Sequence, residues 1–189
     1  MLDLILGLVL FLGVHSISIV NHAWRDRMAA RMGEWTWKGM YSLVALCGLV
    51  LIVWGYGTAR LDPTFLYMPP DWLRHLSFLL LLPVFPLLLA AYLPGRIQRA
   101  TKHPMLVAVK AWALAHLLVN GTVADVLLFG GFLIWAGVDR VSLKRRPQRP
   151  APSLPAARWN DAVAVVGGLA IYVLFVLWAH QWLIGVAVR

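Results

Sequence analysis

Six histidines punctuate a chain that is otherwise strongly apolar, and their spacing bounds the chemistry it can perform. His15, Ser18 and His22 fall at i, i+3 and i+7, so a helix through them carries all three on one face. Trp112 and His116 fall at i and i+4 on the face of another helix. Two imidazoles that face one another across a helical bundle are the way a bis-histidine haem is held. The plain alternative for each is a neutral histidine hydrogen-bonded to a neighbouring helix. Lys110, in the same apolar stretch as His116, is the one basic residue that interrupts a span.

Why these groups need explaining follows from their surroundings. The chain has 189 residues, 61% hydrophobic and 13% charged, with mean hydropathy +0.74. Soluble domains sit near half apolar and about a quarter charged. The excess comes in long blocks, the mark of transmembrane helices. An ionisable residue at the centre of such a helix costs roughly 2.5–3.5 kcal/mol on insertion scales and is a functional candidate by default.

The blocks predict an all-α, polytopic membrane helix bundle of about six spans in one domain covering 1–189: 2–20, 37–56, 73–93, 104–119, 122–138 and 162–184. The first block has no basic leader and no small-residue cleavage site, so it reads as a retained helix. Pro83 and Pro86 are expected to bend the third span. Spans four and five are short and joined by Asn120-Gly121, with Gly121 suited to a C′ position. Thr122 and Asp125 then make a capping-box-like start. Capping also explains Asp125, the one acid clearly inside the blocks.

Loop charges set the orientation. The connections after spans one, three and five hold 13 of the 17 Lys and Arg residues, against three, Arg60, Arg74 and Arg189, on the other side. The positive-inside rule puts the basic loops in the cytoplasm and both termini outside, which in a bacterium means the inner membrane with periplasmic termini. The net charge of +9 therefore belongs to membrane topology and lipid contact, with no nucleic-acid partner implied. The proline-rich stretch 144–158 reads as a solvated cytoplasmic linker. The segment "NHAWRDRMAARMGEWTW", with Trp24, Trp35 and Trp37, suits a short interfacial helix.

Depth brings two histidines together. At about 1.5 Å rise per residue, His15 lies about 20 Å from one face of the membrane and His116 about 20 Å from the other. In a hydrocarbon core about 30 Å thick they then differ by about 10 Å in depth. His15 and His116 are thus the candidate axial ligands. His22 and His103 fall at the basic boundary, and His75 and His180 at the opposite one, where histidine costs little. His22, His103 and Lys110 remain secondary candidates. Lys110 can snorkel to the headgroups or serve as the cation for a cofactor propionate.

Several classes are poorly supported. There is no P-loop and no G-x-G-x-x-G. Cys47 is the only cysteine, so neither an intramolecular disulfide nor a thiolate cluster is available. Glu34 is the only glutamate, which leaves carboxylate-based hydrolysis or transport without residues.

The segments "GLVLFLGVHSISIVNHAWRDRM", "WKGMYSLVALCGLVLIVWGY" and "KHPMLVAVKAWALAHLLVNG", above all W-x-x-A-H-x-L-x-N-G from Trp112 to Gly121, resemble the NnrU family of bacterial membrane proteins. The resemblance covers most of the chain outside the proline-rich loop. It implies an association with denitrification, that is with nitrite and nitric oxide reduction, and nitric oxide or nitrite reductase components as partners. The plant zeta-carotene isomerases look like relatives and use a haem b bound by histidines. Carried over, their ligands fall on His116 and on His15, with haem b as the implied cofactor. The cysteine those isomerases have three residues before the fourth-span histidine is here Ala113, so a thiolate ligand switch is not implied.

Lys102-His103-Pro104 is also similar to the R-H-P motif of isoprenylcysteine-type membrane methyltransferases, but the last span lacks their acidic residues after Asp161. Two function classes follow: a haem-containing membrane protein, and a non-catalytic accessory or assembly factor for nitrogen-oxide reductases.

Overall fold

Helices account for the chain. The computed structural model describes residues 1–147, 149 and 153–188. Its elements are α1 (Leu2–Met32), α2 (Glu34–Ala59), α3 (Leu73–Leu81), α4 (Val84–Ala90), α5 (Arg96–Thr101), α6 (Pro104–Leu117), α7 (Val123–Ser142), α8 (Asn160–Leu174), a π-helical turn (Phe175–Ala179) and α9 (His180–Ile184). Among the described residues the only β pairing is an isolated bridge between Phe65 and Thr122. The fold is all-α, as the sequence implies.

Four stretches are long and apolar enough to cross a membrane: Leu2–Met32, Glu34–Ala59, Leu73–Ala90 and Asn160–Ile184. Their outer surfaces carry exposed aliphatics such as Val9, Val53, Leu79 and Val166. Apolar surface on this scale is a liability in water and the expected finish of a helix solvated by lipid. The other two expected spans differ. α6 has 14 residues, short for a full crossing. α7 has 20, but Asp125, Asp139 and Arg140 interrupt its apolar character.

The chain divides into two compact units, Met1–Asp71 with His116–Gln148, and Trp72–Ala115 with Arg149–Arg189. In the first, α1 and α2 form an antiparallel hairpin that turns at Gly33, whose φ of +86° suits a residue without Cβ. The two helices approach closely at glycine: a Cβ on Gly7 would lie 2.6 Å from Ile52 N, and one on Gly55 2.2 Å from Leu4 N. Small residues at such crossings let backbones meet where no water drives association. α1 does not end near residue 20. It continues to Met32 across a break at Asn21 (φ −150°, ψ 80°), where Asn21 Oδ1 accepts from Trp24 N at 2.9 Å and restarts the helix. The expected interfacial segment is therefore helical and continuous with its neighbours. Glu34 opens α2 and pairs with Lys38 at 2.7 Å.

In the second unit the apolar run 73–90 breaks once, between α3 and α4 at Pro83. Pro86 does not bend it, because it sits in the first turn of α4, where a missing N–H costs little. Pro86 instead seats α8: a Cβ on Gly168 would lie 2.3 Å from its nitrogen. Val84, Leu87 and Ala108 form the buried centre, with Trp112 and Ile97 packed against it. Asp161, at the start of α8, accepts from Arg96 N (2.8 Å) and Ile97 N (3.1 Å) and so caps α5. The proline-rich stretch is tied down in part: Leu154 N donates to Tyr92 O, and Asn160 Nδ2 donates to Pro94 O and Pro155 O. Its residues 148 and 150–152 lie outside the described residues.

Candidate functional site: two histidines against one face of α7

α7 carries Asp125, Phe129, Phe132, Trp135 and Asp139 at successive steps of three or four, so they form one stripe. Both leading histidine candidates meet residues of this stripe.

At its start stands a complete capping box. Asp125 N donates to Thr122 Oγ1 (3.2 Å), while Thr122 N (2.9 Å) and Thr122 Oγ1 (2.6 Å) donate to Asp125 Oδ2. Tyr56 Oη, from α2, donates to Asp125 Oδ1 at 2.5 Å. The carboxylate is buried and both oxygens are engaged, so Asp125 is an organiser and not a free acid.

His116 sits six residues before Thr122, in the last turn of α6. Its carbonyl accepts from Asn120 N and Asn120 Nδ2, both at 2.9 Å. Its ring stacks on Phe129 with centroids 4.5 Å apart. Phe129 in turn meets Tyr56 edge-on at 6.2 Å. Gly121 does not adopt the left-handed conformation expected of a C′ glycine; among the described residues only Gly33, Gly185 and Lys102 have positive φ. Its reason is close approach. A Cβ there would lie 2.0 Å from Tyr67 O, and Gly121 O accepts from Leu66 N (2.8 Å) and Tyr67 N (3.2 Å). Tyr67 Oη donates to Leu117 O and to Asn120 O. Burial, aided by the Asp125 charge, holds the Tyr67 phenol above its ordinary range. Thus the Asn-Gly of the W-x-x-A-H-x-L-x-N-G segment locks the turn that delivers His116.

His15 lies further along the stripe. Its ring stacks on Phe11 (4.3 Å) and meets Tyr41 (5.2 Å) and Trp135 (5.9 Å) edge-on. Phe11 also contacts Phe132 at 5.6 Å. His15 Nδ1 is 2.6 Å from Phe11 O. A carbonyl oxygen only accepts, so Nδ1 is the donor, and in the neutral imidazole Nε2 is the nitrogen with the lone pair. That is the tautomer of a metal-ligating histidine whose other nitrogen is fixed by a backbone carbonyl.

The two rings therefore engage the same face at different levels. Phe129 and Trp135 are six residues apart, about 9 Å along the helix axis. The donor chemistry, two half-buried imidazoles among aromatic rings, is of the kind a haem takes, and a shared iron would require the two rings to close their offset along α7.

Beyond Trp135, Asp139 forms a buried ion pair with Arg146, Oδ1 to Nη2 at 2.6 Å. Two buried donors here have no partner, Trp135 Nε1 and Arg146 Nη1. Tyr56, Tyr41, Trp135, Asp139 and Arg146 were not candidates from the sequence, although the 4-3-3-4 spacing along α7 marks the stripe that gathers them.

The secondary candidates stand elsewhere. His22 follows the break at Asn21, past the helical segment that carries His15. His103 and Lys110 belong to the second unit, where His103 directly precedes α6 and its carbonyl accepts from Leu106 N and Val107 N. Lys110 pairs with no acid among the described residues. Lys102, before His103, has φ +62°, and His103 N donates to Thr101 O at 2.8 Å, a strained γ-type turn. His180 Nδ1 contacts Val186 O at 2.8 Å. Among the described residues no three His, Cys, Asp or Glu side chains gather around a common point.

No curated protein and no solved structure matches the chain. The model of the family described as NnrU protein matches residues 3–188. With nearly the whole length covered, including both histidines and the turn that fixes one of them, the chain belongs to the NnrU family.

Proposed function

We propose that this protein is a haem b-binding protein of the bacterial inner membrane that serves denitrification, in the handling of nitrite or nitric oxide, with His15 and His116 as the residues that would hold the haem. One observation carries the reading. Two histidines far apart in sequence are held against the same aromatic face of α7, and one already has its Nδ1 fixed on a carbonyl and its Nε2 left for a ligand. A bound haem would supply one-electron chemistry whose potential is set by its ligands and their surroundings.

The chain's own residues do the rest. Phe11 O orients His15, Asn120 and the Thr122–Asp125 box hold His116 in register, and Phe129, Phe132 and Trp135 set aromatic rings along the face that the two histidines meet. The excess of basic loops on one side supports a topology with both termini in the periplasm. The cytoplasmic basic segments supply contact with anionic lipid, and the exposed helix faces offer contact with nitric oxide or nitrite reductase components.

The test is an absorption spectrum of detergent-purified protein with pyridine haemochrome quantitation, for wild type, His15→Ala and His116→Ala. The expected result is a Soret band corresponding to one haem per chain that is lost in both variants. A colourless wild type, after haem supplementation during expression, would overturn the haem reading and leave a non-catalytic accessory factor as the function.

A further inference from the structure

The end of the α7 stripe is polar but unfinished. Trp135 Nε1 is buried and donates to nothing. Tyr41, whose ring touches His15, makes no hydrogen bond among the described residues. Arg146 gives Nη2 to Asp139 and keeps a buried, unpartnered Nη1. Trp135 and Asp139 are one turn apart on the same face, about 6 Å along the axis, so Trp135 and the guanidinium that Asp139 holds meet the same end of the stripe. A buried donor without an acceptor loses its hydration with no return, and two at this end of the stripe, with the Tyr41 hydroxyl on a ring that shares His15 with Trp135, point to an absent acceptor.

Charge narrows what that acceptor is. Asp139 neutralises Arg146 on one side, and Arg25, on α1, is paired with Asp26 at 3.2 Å. The local ion pairs are therefore balanced, and what remains is a set of N–H and O–H donors, one of them on a guanidinium. Such a set matches a carboxylate, whose two oxygens accept several bonds and gain most from a charged donor. A single water could satisfy one of these groups, but it adds two donors of its own where donors are already in excess.

We infer that Trp135 Nε1, Tyr41 Oη and Arg146 Nη1 form a binding site for a carboxylate group beside His15. The carboxylate has two possible sources: a free small carboxylate, or the propionate of a haem ligated by His15. The second source rests on the proposed function; the site itself does not.

The experiment uses the full chain in detergent. The haem-free protein is titrated with sodium acetate against sodium chloride at constant ionic strength, following thermal unfolding, for wild type, Trp135→Phe and Arg146→Lys. Each variant keeps the volume or the charge that packing needs, and Arg146→Lys preserves the pair with Asp139. In a second arm, haem b and its dimethyl ester, which lacks free carboxylates, are bound to the same three proteins.

A free-carboxylate site gives acetate-specific stabilisation of wild type and about tenfold weaker acetate binding in each variant, the effect of losing one hydrogen bond to a charged acceptor. A propionate site gives about tenfold preference for haem over its ester in wild type, and loss of that preference in the variants. Acetate no better than chloride, together with equal binding of haem and ester, overturns the carboxylate site. If neither haem form binds at all, the haem reading fails, and the acetate arm alone then decides the carboxylate site.

Discussion

Tyr56 Oη donates a 2.5 Å hydrogen bond to Asp125 Oδ1, tying the second half of α2 to the first turn of α7. Asp125 is fixed at its other oxygen by Thr122, so the bond joins a helix cap to a neighbouring helix within one unit. Tyr56→Phe removes only the hydroxyl and leaves a buried carboxylate oxygen without a donor. The expected loss of stability is about 1–3 kcal/mol, the cost of an unsatisfied buried acceptor. Asp125→Ala removes both the cap and the tie and should cost more. Chemical unfolding in mixed micelles checks the order. Equal stability of Tyr56→Phe and wild type would show that the bond contributes nothing.

Two glycines of α2, two residues apart, predict opposite signs. Gly55 faces α1, and a Cβ there would lie 2.2 Å from Leu4 N and 2.7 Å from Asp3 C, all of it backbone. Gly55→Ala must push the two helices apart. Gly57 has nothing within 4 Å of its would-be Cβ. Gly57→Ala therefore gains helix propensity without a clash, worth about 0.5–1 kcal/mol. Melting temperatures of the two variants should fall on either side of wild type. A stabilised Gly55→Ala would contradict the packing of α1 on α2.

The helices were legible because lipid demands long apolar runs and closes every backbone hydrogen bond within them. Thr122 and Asp125 were legible as a cap because capping is local, set by residues three apart. What was not legible depends on partners distant in sequence. Gly121 suggested a left-handed turn, yet its role is set by Tyr67, which no local pattern connects to it. Pro86 suggested a kink, but Pro83 had already broken the helix and left Pro86 in a first turn. His15 and His116 were singled out by helix register, since register fixes depth, and by the resemblance of the segments that carry them. The side chains between them could be found only once α7 was known to run alongside α1.

Asp139 and Arg146 predict strong non-additivity. Their side chains are 11% and 12% exposed, and they pair at 2.6 Å. Arg146→Met leaves a buried, unpaired carboxylate, and breaking a buried pair in this way costs about 3–5 kcal/mol. Asp139→Leu strands the guanidinium at similar cost. The double variant removes both charges and should recover most of the loss, as apolar replacements of buried pairs commonly do. A double-mutant cycle on unfolding free energies reads the coupling directly. Simple additivity would mean that the two groups do not depend on one another.

Tyr67 predicts a pH dependence of known sign. Its phenol is held above the ordinary value, first by burial and then by the Asp125 charge, while its hydroxyl donates to two carbonyl oxygens of the turn after α6. The folded state therefore holds this proton more tightly than the unfolded chain. The stability it contributes is fully present below the ordinary tyrosine value of about 10 and is lost as pH rises through the raised folded value. Tyr67→Phe lacks the hydroxyl at every pH. The difference in melting temperature between wild type and Tyr67→Phe should be constant from neutral pH to about 9 and shrink above about 10. The same titration followed at the His116 ring by NMR should show its environment changing with the Tyr67 phenol, because Tyr67 clamps the turn that begins at His116. A melting difference that stays flat through pH 11 would show that the Tyr67 hydroxyl does not hold that turn.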